Sequence, residues 1–430
     1  MAGHFKEKEI IMILGAGASV EAGIPHSAKM IEELEKLVRT EEDWKPLHDL
    51  YFYIKGTFQY GNALKKISNP KNPETYYNIE SLYMALDELS KRDEHSLFPF
   101  IGAWNPKLAD VAGSKFENVR ELKQKIYDKI RKWVGKTQEE NIEHYENLFK
   151  FRVEYENSLR IFSMNYDLCV EKTWNSWSLK NKGYDIELER GFYGISEPEI
   201  SKKRCWDWKR LDGENQINNE KQPVFLYKLH GSIDWKTDGE KIKFEDGDGW
   251  SEININDSVF IFGETNKLHY NDPFFYLFQE FRKWTLSSKL MISLGYSFGD
   301  PHINNVIRQS LLDNPNRKLL VVSPYGFNGD NPVSEDEVEN KEEVEEKRIE
   351  KIRSIHELLK LGELCENQVA YWFYGAKAFM NDKLKIEDLA SLFPEDEVDL
   401  IEEVEIDDEE KIDSEVGIES DFIEVELPNS

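Results

Sequence analysis

The sequence predicts an α/β protein: a doubly wound parallel (Rossmann-like) sheet with a helical insertion and an acidic C-terminal tail. Two observations predict it. Short apolar runs alternate with segments of helical periodicity, the pattern of a parallel sheet built from strand–helix–strand units. Four of those runs end in a glycine-rich or polar turn, and open α/β sheets bind ligands at the carboxyl ends of their strands. With 430 residues, 40 % hydrophobic and 13 % aromatic, the chain has material for two or three domains and a large core.

The first strand is Glu9-Ile10-Ile11-Met12-Ile13-Leu14, almost wholly apolar, as a strand covered on both faces must be. It ends at Gly15, and apolar residues at Met30, Ile31, Leu34 and Leu37 then give helical spacing across 27–40. Residues 41–150 are charged, with helical periodicity over Glu80–Leu89 and Phe116–Val134, and read as a helical insertion. The alternation resumes with strands predicted at Arg160–Met164, Val224–Leu229, Val259–Phe262, Leu290–Leu294 and Lys318–Val322, and helices predicted over Asp167–Trp177 and Pro301–Leu312. A charged helical segment is predicted over 334–363 and a last strand at Ala370–Phe373. These elements assign residues 1–40 and 151–330 to the α/β domain and 41–150 to the insertion. They assign 331–393 to a C-terminal helix and strand extension, and 394–430 to the tail. From Glu395 to Ser430 seventeen acidic residues face one lysine, Lys411, the composition of a solvated disordered segment. Apolar residues such as Val398, Ile401, Val404 and Ile406 are interspersed there, which leaves docking onto a partner open.

Charge and cysteine usage narrow the function classes. A net charge of −28 argues against general nucleic-acid binding, because neutralising phosphates needs Lys and Arg. Cys169, Cys205 and Cys365 are isolated, so neither a zinc ribbon nor a disulfide framework is expected, and a reducing cytoplasm suits the chain. The apolar run Ile10–Leu14 is too short for a signal peptide, and no stretch is long and apolar enough for a membrane helix.

The chemistry concentrates in the four turns. In Gly15-Ala16-Gly17-Ala18-Ser19, followed by Gly23-Ile24-Pro25, glycines permit close approach to a phosphate and Ser19 adds a hydroxyl donor. A plain strand-to-helix turn has the same composition. The spacing departs from GxGxxG and no lysine of a Walker A loop follows, so neither a dehydrogenase nor a P-loop signature is met. In Ser163-Met164-Asn165-Tyr166-Asp167, Asn165 can bond a ribose hydroxyl or place a water, and Asp167 can accept from an amide or simply cap a helix. In Leu229-His230-Gly231-Ser232-Ile233-Asp234-Trp235, the glycine leaves the His230 ring room to face a ligand as a general base, against a structural histidine as the alternative. In Gly295-Tyr296-Ser297-Phe298-Gly299-Asp300-Pro301, Gly295 and Ser297 can line a second phosphate or ribose site, while Asp300 before Pro301 also suits a helix N-cap.

In combination and order these turns resemble the sirtuins. Residues Gly15 to Pro25 are similar to the GAGxSxxxGIP opening of that family. Ser163–Asp167 resembles its TQNxD segment, and more closely the TNYD of bacterial sirtuin-like defence proteins. Leu229–Trp235 resembles the sirtuin His-Gly motif in the KLHGS form of that branch, and Gly295–Asp300 the GYSxxD motif. Sirtuin deacylases follow GIP with Phe-Arg, whereas His26 and Ser27 stand here; four zinc-binding cysteines are missing, and Met164 replaces Gln. The resemblance therefore implies NAD as a substrate, no metal, and hydrolysis to ADP-ribose and nicotinamide rather than deacylation. It implies that Gly15, Ala16, Gly17, Ser19, Gly23 and Pro25 contact the cofactor, and that Gly295, Ser297 and Asp300 line the same site. Asn165 would hold the nicotinamide ribose or the attacking water. Asp167 and the Tyr166 backbone would hold the carboxamide, and His230 would contact ribose hydroxyls and act as the base. It further implies a toxic effector of anti-phage abortive infection, regulated by a partner such as a HerA-like ATPase; a homo-oligomer is expected as well. A non-catalytic NAD or ADP-ribose sensor is the alternative, and an NAD-dependent deacylase a third reading.

Overall fold

A strand covered on both faces must be apolar throughout, and β1 (Ile10–Leu14) is: none of its five side chains is more than 1 % exposed. The computed structural model describes Phe5 and residues 9–68, 77–92, 106–135, 137, 139–183, 186–192, 205–212, 223–245, 249–260, 272–328, 331–362 and 367–393. The expected acidic tail lies outside them. The other strands of the main sheet are β2 (Leu159–Ser163), β3 (Leu188–Glu189), β4 (Val224–Lys228), β8 (Leu290–Leu294), β9 (Lys318–Val322) and β12 (Val369–Trp372). All pair in parallel, in the order β12-β9-β8-β1-β2-β4-β3, and helices flank the sheet. This is the Rossmann-like α/β class that the alternation predicts. From β1 the chain goes on to β2 on one side; from β8 it goes on to β9 on the other. The winding therefore reverses between β1 and β8, the position at which open α/β sheets leave a crevice.

The helices follow their apolar spacing. Ser27–Thr40 buries Met30, Leu34 and Val38, one face at intervals of four. His48–Ser68, Ile79–Ser90, Pro106–Ala112, Glu117–Gly135 and Glu146–Tyr155 fill the region between β1 and β2. Tyr155 ties the last of them to the sheet, its hydroxyl oxygen accepting from the Glu9 and Ile10 amides. Inside β2 a charged residue interrupts the apolar run, yet Arg160 is 2 % exposed. Its guanidinium lies 3.4 Å from the centre of the Trp284 ring, a cation–π contact that makes burial tolerable.

Two expectations need correction. The strand expected at Val259–Phe262 does not join the main sheet. The segment described there, β7 (Ser258–Phe260), pairs antiparallel with β5 (Gly231–Thr237), which also pairs with β6 (Ile242–Phe244). Gly231 explains this: at φ +79° it turns the chain out of β4 straight into β5, with no crossover helix. The predicted helical segment over 334–363 is divided. A 3-10 turn at Glu335–Glu337 precedes the helix Lys341–Leu359, whose start is set by Asn340 accepting from the Glu342 and Glu343 amides. A short hairpin, β10 (Gly326–Asn328) with β11 (Asn331–Val333), was not expected at all. Among the described residues no helix is long and apolar enough to cross a membrane.

Candidate functional site

Because β8, β1, β2 and β4 are neighbours in the sheet, the four turns emerge side by side from its carboxyl edge. Register sets their depth. Leu14 is level with Leu294 and Ser163, and Ser163 is level with Lys228. Gly15 and Gly295 each lie one residue beyond that level, and Asn165 and His230 two residues beyond it.

The two glycine-rich turns pack backbone against backbone. The Gly15 amide donates to the Leu294 carbonyl (3.0 Å) and the Gly17 amide to that of Gly295 (2.9 Å). A Cβ on Gly17 would lie 2.8 Å from Gly295 Cα, and one on Gly15 2.6 Å from Tyr296 Cα. The glycines thus serve this contact, and both amides are already bonded within the fold. Exposed Ala16 and partly exposed Gly17 form the outer side of the turn. Gly23 closes a following turn, its amide donating to Val20, and Pro25 leads into Ser27–Thr40. Among the described residues no hydrogen bond joins either to Asn165 or His230.

Ser19 is 1 % exposed and is the hub of the cluster rather than a free donor. Its single proton goes to Asp167 Oδ2 (2.7 Å), and its oxygen accepts from Asn165 Nδ2 (3.0 Å). That corrects the expectation that the hydroxyl is available to a phosphate. Asn165 Nδ2 also donates to the Gly15 carbonyl (2.9 Å), an obligate acceptor that sets the orientation of the amide. Both Asn165 donors are therefore used, and its Oδ1 has no partner among the described residues.

Asp167 joins elements. Its Oδ1 accepts from the Cys169 amide (3.0 Å), so the helix Cys169–Lys180 begins there and not at Asp167 as predicted. The Tyr166 carbonyl, expected to hold a carboxamide, already accepts from the Ile233 amide (3.0 Å) and Ser232 Oγ (3.4 Å). His230 is 7 % exposed, and its Nε2 lies 3.2 Å from Asp300 Oδ2. Its Nδ1 has no partner among the described residues. Ser297, three residues before Asp300 in the same turn, is exposed.

Several contributors escaped the sequence reading. Tyr145 reaches in from the region before β2, donating to the Ala18 carbonyl (2.8 Å) and lying 3.2 Å from Ser19 Oγ. Burial, then its neighbours Cys169 and Asp167, push its hydroxyl well above the ordinary range, so it stays protonated. Lys228, 2 % exposed, donates to the Asp167 carbonyl and lies 3.6 Å from Glu171. Glu171 lies 3.2 Å from Arg190, which reaches Asp234 at 2.8 Å. Two cations and two carboxylates thus balance beneath the cluster, as buried charges must. A lysine closing the apolar strand β4 was the one available signal. From the far end of the chain, the Lys377 amide donates to Glu21 Oε2 (2.8 Å), clamping the back of the first turn.

Burial, then the charge of Asp167, raise the Cys169 thiol, leaving it neutral and a poor nucleophile. Among the described residues no group of three or more His, Cys, Asp or Glu is placed to hold a metal. Among the described residues, Asn165 Oδ1, an acceptor, and His230 Nδ1, an acceptor where Nε2 carries the proton, are left without a hydrogen-bond partner at the edge. They can receive protons from hydroxyls or water.

Residues 159–352 match the family model described as the SIR2-like domain. The match contains the Asn165, His230 and Gly295–Asp300 turns. It begins after the Gly15 turn, which the hydrogen bonds above join to the rest. SIR2-like domains bind NAD, and the match supports a sirtuin-like relationship and an NAD-related function for this chain. No curated protein matches the chain.

Proposed function

We propose that the chain hydrolyses NAD to ADP-ribose and nicotinamide, as the regulated effector of a bacterial anti-phage system. The observation that carries the chemistry is the pair of acceptors left on Asn165 and His230 at one level of adjacent strand ends. Hydrolysis at the nicotinamide–ribose bond needs one group to place water or a ribose hydroxyl and one to take its proton. Asn165 Oδ1 does the first and His230 the second. The bond breaks through an oxocarbenium-like state, which positioned polar groups favour and bulk water does not. The exposed side of the Gly15–Gly17 turn, with Ser297, takes the ADP portion. Asp167 and Ser19 hold Asn165 in place. The absence of Phe-Arg after Pro25 and of paired cysteines favours water over an acyl-lysine as the acceptor. The defence proteins that the motifs resemble act with a partner, so control by a separate HerA-like ATPase belongs to this reading.

The test is nicotinamide release from NAD by the purified chain, alone and with the product of a neighbouring ATPase gene. Asn165→Ala and His230→Ala should each lose turnover by a factor on the order of 100 or more while remaining folded. Wild-type turnover in both variants overturns the site. No nicotinamide release by the wild type under any triggering condition overturns the enzyme and leaves a sensor. Free monomers that hydrolyse NAD without a partner overturn the regulated complex.

A further inference from the structure

The geometry points to Asp300 as the positioning residue of His230: it holds the imidazole as the Nε2–H tautomer, so that Nδ1 is the base. This rests on the hydrolase reading above for its catalytic consequence, and on the structure alone for the tautomer. Asp300 stands before Pro301 at the start of a 13-residue helix, where an aspartate ordinarily does no more than cap. Capping occupies one of its oxygens: Oδ1 accepts from the His302 amide at 2.9 Å. The other, Oδ2, faces His230 Nε2 at 3.2 Å. Both residues are buried, Asp300 at 4 % and His230 at 7 % exposed.

The backbone turn that carries the carboxylate is held from several directions. Tyr296 Oη lies 3.2 Å from both the amide nitrogen and the carbonyl oxygen of Asp300, and 2.9 Å from Asn304 Oδ1. Asn304 in turn donates to the Phe298 carbonyl (2.8 Å). A turn held this way can orient an imidazole. An ionised carboxylate only accepts, and the helix N-terminus favours its charge, so the proton of the pair resides on Nε2. In a neutral imidazole the other nitrogen is then the acceptor. A base oriented by a third group is the arrangement by which nucleophile activation is generally built.

The step balances as follows. The nicotinamide–ribose C–N bond breaks with its electron pair passing to the pyridinium nitrogen, giving neutral nicotinamide. A water oxygen forms the new bond to the ribose carbon. Its proton passes to His230 Nδ1 and from there to solvent, while Asp300 keeps the Nε2–H and faces the imidazolium that forms.

The experiment compares wild type with Asp300→Asn, which keeps a good N-cap of the same shape and removes the charge. In the full-length protein, 15N NMR of histidine-labelled samples, with His230→Gln to assign the signal, reads the tautomer directly. Nicotinamide release gives kcat and KM for NAD. The expected result is a protonated Nε2 with unprotonated Nδ1 in the wild type, and loss of that pattern in Asp300→Asn. kcat should fall by on the order of 10²–10⁴ with KM changed less than about threefold. Asp300→Asn with an unchanged 15N pattern, or with wild-type kcat in an active enzyme, overturns the proposal. If the wild type releases no nicotinamide yet the tautomer pattern is present and lost in Asp300→Asn, the hydrolase reading falls and the positioning of His230 by Asp300 stands.

Discussion

Replacing Gly295 by alanine tests how the two glycine-rich turns are held together. Gly295 has φ +64°, a conformation that costs a residue with a Cβ about 1–2 kcal/mol. The added carbon would also lie 2.3 Å from the Ala18 nitrogen and 2.4 Å from the Gly17 carbonyl carbon. Both are backbone atoms, so no side chain can swing away. Relieving such overlap in a packed interior costs about 1–3 kcal/mol. Moving the turns apart stretches the 2.9 Å bond from the Gly17 amide to the Gly295 carbonyl, a further loss of about 1 kcal/mol. The terms together give a destabilisation of about 3–6 kcal/mol. Gly56 supplies the contrast. It lies within the helix His48–Ser68, and nothing stands within 4 Å of its would-be Cβ. Alanine there should stabilise by about 0.5–1 kcal/mol. Urea denaturation followed by tryptophan fluorescence measures both. A Gly295→Ala protein within about 1 kcal/mol of wild type would refute the backbone-contact account.

Two further predictions follow from the surroundings of the same turn. Tyr145→Phe strands the Ala18 carbonyl without changing side-chain shape, and should cost about 1–2 kcal/mol in urea denaturation; an unchanged midpoint would show that the hydroxyl does not support the turn. His144 is 4 % exposed, and burial, then the charge of Lys377, lower its pKa from 6.5 to about 4. The unfolded chain therefore binds the proton first as pH falls. His144's contribution to stability is complete above pH 6.5 and is lost progressively towards pH 4, by roughly 3 kcal/mol in full. His144→Gln should flatten the dependence of the urea midpoint on pH across that window, and an identical pH slope in the variant would refute the assignment.

The first glycine-rich turn is a junction of elements distant in the chain. The first turn is gripped by Gly295 from the sheet, by Tyr145 from the region before β2 and by the Lys377 amide through Glu21. Burial raises Glu21 above its ordinary value, opposed by the amide and charge of Lys377 and by the Ala376 amide. Elements far apart in the chain thus converge on the segment around Ser19, the partner of Asn165.

Local patterns carried much of the architecture. The apolar runs at Ile10–Leu14 and Leu290–Leu294 can be satisfied only in the middle of a sheet, and their turns mark the strand ends where ligands bind. Asn165 and His230 stood out because each is a polar residue just past an apolar strand, although a turn or cap and a structural histidine have the same local pattern. Other features had no local signature. Gly231 looked like room for a ligand, but its φ of +79° serves the turn from β4 into β5. Ser19 looked like a phosphate donor, but its proton is committed to Asp167, 148 residues away.

By itself, then, the sequence determined the strand ends, the helical spacing and the residue types at four turns, because strand burial and turn chemistry depend on neighbours along the chain. Only the tertiary structure decided which polar atoms are spent and which are free. Asn165 is left with one acceptor because Gly15 and Ser19 take its donors, and His230 has its Nε2 against Asp300, 70 residues on. Those partners are set by parallel register across β8, β1, β2 and β4, a relation between distant segments that no local pattern encodes.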